Sequence, residues 1–177
     1  LKGPTDNSPL RSGKGYAYEG GIRVPLIVRW PGVIAPSSIS NEPVSSVDYL
    51  PTIADAVDCD LPTNHEIDGV SLLSLWKSKG RQSLDRNAIY WHFPHYRHSP
   101  GPYSIVRSGD WKLIKWYEGG FELYDLKNDL SETNNLAAAM GTKVKELDRQ
   151  LMSEMQRIGA KIPKLNPNYI SKSKQTD

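Results

Sequence analysis

The chain has 177 residues, of which 38% are hydrophobic and 24% are charged, a balance typical of globular proteins. Its formal net charge of +2 gives no electrostatic reason to expect nucleic acid as a partner. No apolar run approaches the ~18 residues that a membrane-spanning helix needs. The single cysteine, Cys59, excludes an internal disulfide. The first residues include no initiator methionine and do not resemble a signal peptide, so we expect the chain to begin inside a longer protein.

The first part of the chain is predicted to be a loop followed by a strand. Residues 1–21 are rich in Gly, Ser, Pro and Asn, a composition typical of loops. Residues 24–30 are mostly apolar and end at the turn signal Pro31-Gly32. Such an almost continuous apolar run predicts a strand buried in a sheet that is covered on both faces.

Two helices are predicted next. Over residues 47–57 the apolar side chains recur at helical spacing, and Pro51 fits only the first turn of such a helix. Residues 70–76 follow Asp68-Gly69 and predict a shorter helix. The apolar side chains at helical spacing in the first helix are Leu50, Ile53, Ala54 and Val57. The side chains expected to face inward in the second helix are Leu72, Leu73 and Trp76.

The second half of the chain predicts an antiparallel sheet and a helix. Residues 77–85 are polar and form a candidate domain boundary. Glycine-containing turns separate the later strands, which indicates an antiparallel meander. The four predicted strands cover residues 88–93, 104–107, 112–117 and 121–124. The predicted helix covers residues 143–158, is capped by Thr142, ends at Gly159, and has an apolar face of Val144, Leu147, Leu151, Met155 and Ile158.

Lys14 lies between two glycines in the run SGKG at residues 12–15. A lysine without bulky neighbours can bring its ammonium close to a tetrahedral anion while the backbone turns tightly around it. The same pattern also occurs in solvated turns, so these residues alone leave both interpretations open. The run is not a P-loop, because the long glycine spacing and the following Ser or Thr are missing.

Several ordered segments carry a more specific signal. They are LRSGKG at 10–15, YEGGIRVP at 18–25, SVDYLPT at 46–52, IDGVSL at 67–72, WHFPHY at 91–96, VRSGDWKLI at 106–114, ELYDL at 122–126 and NDLSETNNL at 128–136. Together they resemble the C-terminal portion of the sulfatase family, an arylsulfatase-like family of the alkaline-phosphatase superfamily. The resemblance covers roughly residues 8–160. It is specific for the family and not for a substrate.

The resemblance implies a fold and a reaction. The fold is α/β and alkaline-phosphatase-like, and its C-terminal part is α+β, with a small antiparallel sheet and a C-terminal helix. Residues 1–85 are then expected to belong to the large catalytic domain, and residues 86–177 to a C-terminal subdomain. The reaction is the hydrolysis of sulfate esters, in which a formylglycine attacks sulfur and a calcium ion holds the sulfate.

The resemblance also assigns roles to individual residues. Lys14 matches the family's lysine that contacts the sulfate, whereas Glu19 and Arg23 match positions expected to brace the loop. The nucleophile signature, Cys or Ser followed by x-Pro-x-Arg, is absent, and Cys59 does not match it. Asp6-Asn7 lies too close to the glycine–lysine run to be the family's metal-binding pair. We therefore expect no metal ligand in this chain, with calcium and formylglycine supplied by an N-terminal remainder, and no activity from the chain alone.

Three histidines lie within seven residues, at His92, His95 and His98. Such a group points to a metal at first sight, but Pro94 excludes a helix, and an extended chain sends alternate side chains to opposite faces. We predict instead that His92, His95 and Arg97 bind the substrate at a cleft rim, as the segment's resemblance to bacterial sulfatases implies. The alternative is that these histidines are satisfied by backbone groups beside packed aromatic residues.

Two other functions stay open at this point. One is a phosphoesterase or phosphonate hydrolase of the same superfamily, and the other is a non-catalytic module that binds sulfated glycans. The expected partners are a sulfated carbohydrate or aryl sulfate and the N-terminal remainder of the protein, with no nucleic acid and no membrane. The compartment is left open, and the resemblance suggests a periplasmic or extracellular one.

Overall fold

The computed structural model of the chain describes residues 6–97 and 100–164. These residues form two compact units. One unit contains residues 6–24 together with residues from 90 onwards, and the other contains residues 25–89. The sequence-based division placed residues 1–85 in one domain and 86–177 in another. How these segments divide between the domains of a longer protein stays a prediction.

A four-stranded antiparallel sheet forms the centre of the first unit, and its strand order is β1-β2-β3-β4. The strands are β1 Ile89–Phe93, β2 Tyr103–Ser108, β3 Trp111–Trp116 and β4 Gly120–Asp125. Gly109 and Gly120 sit at the two tight turns with φ of +58° and +85°, which glycine adopts without a steric penalty. The predicted meander is therefore confirmed, with each strand within a residue or two of its expected position.

The register of the sheet gives its two faces different characters. Ile105 of β2 lies opposite Ile114 of β3, and Arg107 lies opposite Lys112. Lys112 in turn lies opposite Tyr124 of β4. Because residues paired across a ladder share a face, one face carries both an apolar region and a charged one. The alternating positions, among them Ser104 and Lys115, belong to the other face.

A single long helix, α4 at Gly141–Arg157, covers that other face of the sheet. Met155 meets Ser104, and Lys115 donates a hydrogen bond of 2.7 Å to Asp148 on the helix. The buried residues of α4 are Val144, Leu147, Leu151 and Met155, as its apolar spacing predicts. Two expectations were wrong, because Thr142 lies inside the helix rather than capping it, and Ile158 is exposed just beyond its last residue.

The N-terminal segment covers the opposite face. Ala17 and Tyr18 join an apolar cluster that is otherwise formed by the sheet, and a one-turn helix, α1 at Glu19–Ile22, follows them. The buried sheet residues of this cluster are Tyr103, Ile105, Ile114, Trp116 and Tyr124. Residues 6–24 are thus held on the sheet by burial of aromatic and aliphatic side chains.

The second unit contains a 3₁₀ turn at Ser46–Asp48 and two helices, α2 at Tyr49–Ala56 and α3 at Leu73–Lys77. Leu72, Leu75 and Leu84 form its small core. Asp48 is fully buried and accepts hydrogen bonds from the backbone N–H groups of Ser45 and Val70 and from the Arg86 guanidinium. Both helices were predicted, with Pro51 in the first turn of α2.

One expectation for this part of the chain was wrong. Residues 24–30 carry no strand, and the one sheet among the described residues does not include them. The apolar residues at helical spacing in and just after α2 are exposed at Leu50, Ile53 and Val57. A strand requires a hydrogen-bonded neighbour and an apolar face requires a cover, and periodicity alone cannot show whether either is present in the same chain. Among the described residues, no helix is both long and apolar enough to cross a membrane.

We expect Leu151→Ala to lower the free energy of unfolding by about 2–5 kcal/mol, because it leaves a cavity between α4 and the sheet. Urea denaturation of the chain, followed by circular dichroism, measures the change. Ile158→Ala is the matched control, since Ile158 is 46% exposed at the end of the same helix, and it should change stability by about 0.5 kcal/mol or less. Equal effects of the two substitutions would contradict the packing of α4 through Leu151.

Candidate functional site

Lys14 lies at the tip of a closed loop formed by residues 11–20, here called the Lys14 loop. The N–H of Gly20 donates to the carbonyl of Arg11 at 2.9 Å and closes the base of the loop. Asn7 donates from its side-chain amide to the carbonyls of Ser12 and Gly20, at 3.3 and 3.2 Å. The Lys14 side chain is exposed, so its ammonium is available to an anion in the solvent.

Two glycines allow this loop to close. A Cβ atom at Gly20 would overlap the carbonyl oxygens of Arg11 and Ser12. A Cβ atom at Gly21 would overlap the carbonyl oxygens of Tyr16 and Gly13. Glycine is therefore required at both positions, because any side chain would clash with neighbouring backbone carbonyls. This close packing fixes the path of the loop that presents Lys14.

Arg11 anchors the loop on its N-terminal side. One guanidinium nitrogen donates to the Tyr124 hydroxyl and to the Glu132 carbonyl, each at 2.9 Å. The guanidinium also lies over the Tyr18 ring, 3.7 Å from its centroid, in a cation–π arrangement. Arg11 thus joins the first residue of the loop to β4 and to the segment after it.

The carboxylate of Glu122 on β4 accepts hydrogen bonds from three aromatic side chains near the Lys14 loop. It accepts hydrogen bonds from the Tyr18 hydroxyl at 3.2 Å, from the Trp116 indole at 3.0 Å and from the Tyr124 hydroxyl. Burial, and then the negative charge of Glu122, raises the pKa of Tyr18 to about 12. The pKa of Tyr124 is also raised, chiefly by burial, so both phenols stay protonated donors at neutral pH.

A buried ion cluster anchors the loop on its C-terminal side. Lys112 on β3 donates from Nζ to Glu19 at 3.0 Å and to Glu132 at 2.7 Å. The other carboxylate oxygen of Glu132 accepts the backbone N–H of Glu19 at 2.6 Å. All three side chains are buried. Burial raises the pKa of Glu132, and the nearby Lys112 ammonium opposes that rise.

Two arginines add positive charge beside the carboxylate of Glu19. The second oxygen of Glu19 lies 3.6 Å from the Arg23 guanidinium and 3.9 Å from that of Arg107. The expected bracing role of Glu19 agrees with these contacts. Sequence reasoning missed Lys112 and Glu132. The available signal was that Lys112 alternates along one strand face with the apolar residues Ile114 and Trp116, which are buried in the structure.

The histidine segment has a mixed environment. His92 has one ring nitrogen 2.7 Å from the Ser104 hydroxyl and the other 3.2 Å from the Lys161 carbonyl, so protein groups engage both nitrogens. His95 is exposed beside the Phe93 ring, and Arg97 is exposed as well. His98 lies outside the described residues. Substrate binding by His92, His95 and Arg97 stays a prediction. The contact of His92 with the Lys161 carbonyl is of the backbone kind that the alternative describes, whereas Ser104 contacts it through a side chain.

In residues 6–97 and 100–164, no three His, Cys, Asp or Glu side chains come close enough together to hold a metal ion. Asp6 accepts a hydrogen bond from the Ser8 N–H at 2.9 Å, and contacts with Ser8 lower its pKa. Its neighbour Asn7 spans the base of the Lys14 loop. The side chains of Asp6 and Asn7 are therefore both engaged in hydrogen bonds with backbone groups of residues 8–20.

A family model described as the C-terminal part of N-sulphoglucosamine sulphohydrolase matches residues 12–161. The chain belongs to the sulfatase family. This match includes the Lys14 loop, the sheet and α4, which are the parts of the first unit described above. The family predicted from the ordered segments is therefore confirmed, and the chain represents its C-terminal portion.

The chain is also similar in sequence to known sulfatases. A sulfatase from Formosa agariphila is 44% identical over 146 residues, covering 77% of this chain and 26% of its own length. An N-acetylglucosamine-6-O-sulfatase from Bacteroides thetaiotaomicron is 36% identical over 151 residues, covering 81% of this chain and 26% of its own length. The chain thus spans about a quarter of the length of these curated relatives.

A solved structure in complex with its substrate D-glucosamine-2-N,6-O-disulfate superposes with a TM-score of 0.61 at 31% identity. The superposition covers 73% of this chain and 27% of the other. The predicted fold class is confirmed, because the chain superposes on solved structures of the alkaline-phosphatase-like fold and contains the expected small sheet with its helix.

We expect Gly21→Ala to destabilise the chain by about 2–3 kcal/mol, because its Cβ would overlap two carbonyl oxygens of the Lys14 loop. Gly141→Ala is the matched control, since its Cβ would meet nothing within 4 Å at the start of α4. The control should be neutral or stabilising by up to about 1 kcal/mol through helix propensity. Urea denaturation of both variants measures the difference, and a neutral Gly21→Ala would rule out the close backbone approach.

Proposed function

We propose that the protein to which this chain belongs is a sulfatase that hydrolyses sulfate esters, with Lys14 contacting the sulfate. The observation that carries the proposal is the geometry of the Lys14 loop within a chain of the sulfatase family. An exposed ammonium stands at the tip of a loop whose base is closed by a backbone hydrogen bond. Its two ends are anchored to Tyr124 and Lys112 of the sheet and to Glu132 after it. The formylglycine nucleophile and the calcium ion belong, in this proposal, to an N-terminal remainder.

The chemistry of sulfate ester hydrolysis explains why a fixed ammonium is useful. An ester sulfate carries one negative charge, and charge accumulates on the bridging oxygen as the sulfur–oxygen bond breaks. A positive group that is held in place before the reaction stabilises this charge without reorganising. The anchored ends of the loop supply that preorganisation, since they limit the positions that Lys14 can take.

The proposed substrate is a sulfated carbohydrate. This proposal is supported by relatives whose names specify N-acetylglucosamine-6-O-sulfate and glucosamine disulfate as substrates. His95 and Arg97 are exposed and could contact an anionic sugar, whereas His92 would first have to leave Ser104 or Lys161. His95 and Arg97 are therefore the stronger candidates for substrate contact.

We expect the 177-residue chain alone not to hydrolyse a sulfate ester above background, with or without added calcium. The reason is that the proposed reaction needs a nucleophile that lies outside this sequence. The measurement is release of sulfate from an aryl sulfate and from glucosamine-6-sulfate by the purified chain. Robust turnover by a preparation free of host sulfatases would overturn the assignment of the nucleophile.

In the complete protein, Lys14→Ala should lower kcat by ~10²–10³, or roughly 3–4 kcal/mol, as expected for loss of one preorganised contact to developing charge. Lys14→Arg should restore activity only in part, because a planar guanidinium does not replace a compact ammonium between two glycines. Steady-state kinetics on sulfated sugars measures the effect, with thermal melting as the folding control.

The matched control is Lys145→Ala, which removes an exposed lysine from the surface of α4 and should leave kcat unchanged. The same variants should be assayed on phosphate and phosphonate monoesters. A Lys14→Ala enzyme with wild-type kcat/KM would remove Lys14 from the site. Faster turnover of the phosphorus esters than of any sulfate ester would favour the phosphoesterase alternative.

A further inference from the structure

Glu132 is the one described residue whose backbone and side chain contact opposite ends of the Lys14 loop. Its carbonyl accepts the Arg11 guanidinium at 2.9 Å, at the start of the loop. Its carboxylate accepts the backbone N–H of Glu19 at 2.6 Å, just before the loop closes at Gly20. The same carboxylate is paired with Lys112 at 2.7 Å, which fixes it to β3.

The conformation of Glu132 is unusual for its residue type. Its φ is +51°, in the left-handed region that residues with a Cβ rarely adopt. Its side chain is fully buried. Strained and buried positions of this kind persist where the surroundings determine them strongly, and they are concentrated at functional sites. Here the surroundings are the contacts to the loop and to Lys112.

We infer that Glu132 is a positioning residue for Lys14, acting through the Arg11 and Glu19 anchors and never touching the substrate. This inference rests on the proposed function, in which Lys14 contacts the sulfate. Release of either anchor would let the tip of the loop shift while leaving the Lys14 side chain chemically intact. A misplacement of about 1 Å at a reacting group can lower a rate by up to about 100-fold.

The test uses two variants in the complete protein, because a change at a fully buried site can prevent folding. Glu132→Gln keeps the size of the side chain but replaces the carboxylate that pairs with Lys112 by an uncharged amide. Arg11→Met removes the hydrogen bonds to Glu132 and Tyr124 and keeps an unbranched apolar chain over the Tyr18 ring. Since the Arg11 side chain is 39% exposed, this second variant should fold even if the first does not.

The matched control is Asp148→Asn. It breaks the 2.7 Å ion pair between Lys115 and α4, on the other face of the same sheet. We expect kcat per folded enzyme to fall about 10- to 100-fold in Glu132→Gln and Arg11→Met, with a smaller change in KM, and to be unchanged in Asp148→Asn. Arg11→Lys should recover part of the loss, because an ammonium can donate to one of the two acceptors.

Each variant is then combined with Lys14→Ala, which separates positioning from general destabilisation. If Glu132 and Arg11 act through Lys14, their effect on kcat should shrink to about twofold or less in that background. A loss of rate that stays undiminished without Lys14 overturns the inference, as does wild-type kcat in the folded variants. If Glu132→Gln does not fold, Arg11→Met decides between these outcomes.

Different experimental outcomes would contradict the proposed role of Lys14 and the positioning role of Glu132. If Lys14→Ala itself keeps wild-type kcat/KM, the proposed role of Lys14 is wrong and the positioning role falls with it. If Lys14→Ala is impaired while folded Glu132→Gln and Arg11→Met match the wild type, only the positioning role is wrong.

Discussion

Lys112 is fully buried on β3, and its ammonium must therefore be neutralised by groups that the chain itself supplies. Glu19 and Glu132 supply them, and these residues come from α1 and from the segment after β4. Removing one partner of such a group leaves an uncompensated buried charge, which typically costs about 3–5 kcal/mol. Three segments far apart in sequence are thus required to meet at one point, and the Lys14 loop is attached to that point.

The two faces of the sheet contribute different things to the protein. The face beneath α4 is closed mainly by apolar burial of Leu147, Leu151 and Met155, which stabilises the unit without specifying any chemistry. The face beneath the Lys14 loop also holds apolar residues. Its charged residues Glu122 and Lys112 fix the position of the loop through hydrogen bonds with Tyr18 and Glu19. Hydrogen bonds between charged groups are directional, so they define a position that apolar packing alone would leave free.

The sequence predicted the strands, the helices and the family, because alternation, helical spacing and short motifs are local signals. Alternation puts Lys112 and Lys115 on opposite faces of one strand, each beside apolar residues, so the sequence did not show which groups each lysine would contact. Lys112 faces the Lys14 loop and is buried between two carboxylates, whereas Lys115 faces α4 and pairs with Asp148. The difference depends on partner residues that lie 20 or more positions away in the sequence. The strand at residues 24–30 was mispredicted for a related reason, since an apolar run does not show whether a neighbouring strand is present.

Residues 6–24 belong to the same compact unit as the sheet, so the segment that carries Lys14 is supported by strands from much later in the chain. Every anchor of the Lys14 loop described here, at Glu122, Tyr124, Glu132 and Lys112, belongs to the sheet or to the segment after it. If Lys14 contacts the sulfate as proposed, its position is determined by these residues and not by the loop sequence alone. The small sheet then acts as the support of a catalytic group, because a shift of its strands carries the ammonium with it. Selection on the rate of sulfate hydrolysis would therefore act on buried residues such as Lys112 and Glu132, which need never contact a substrate.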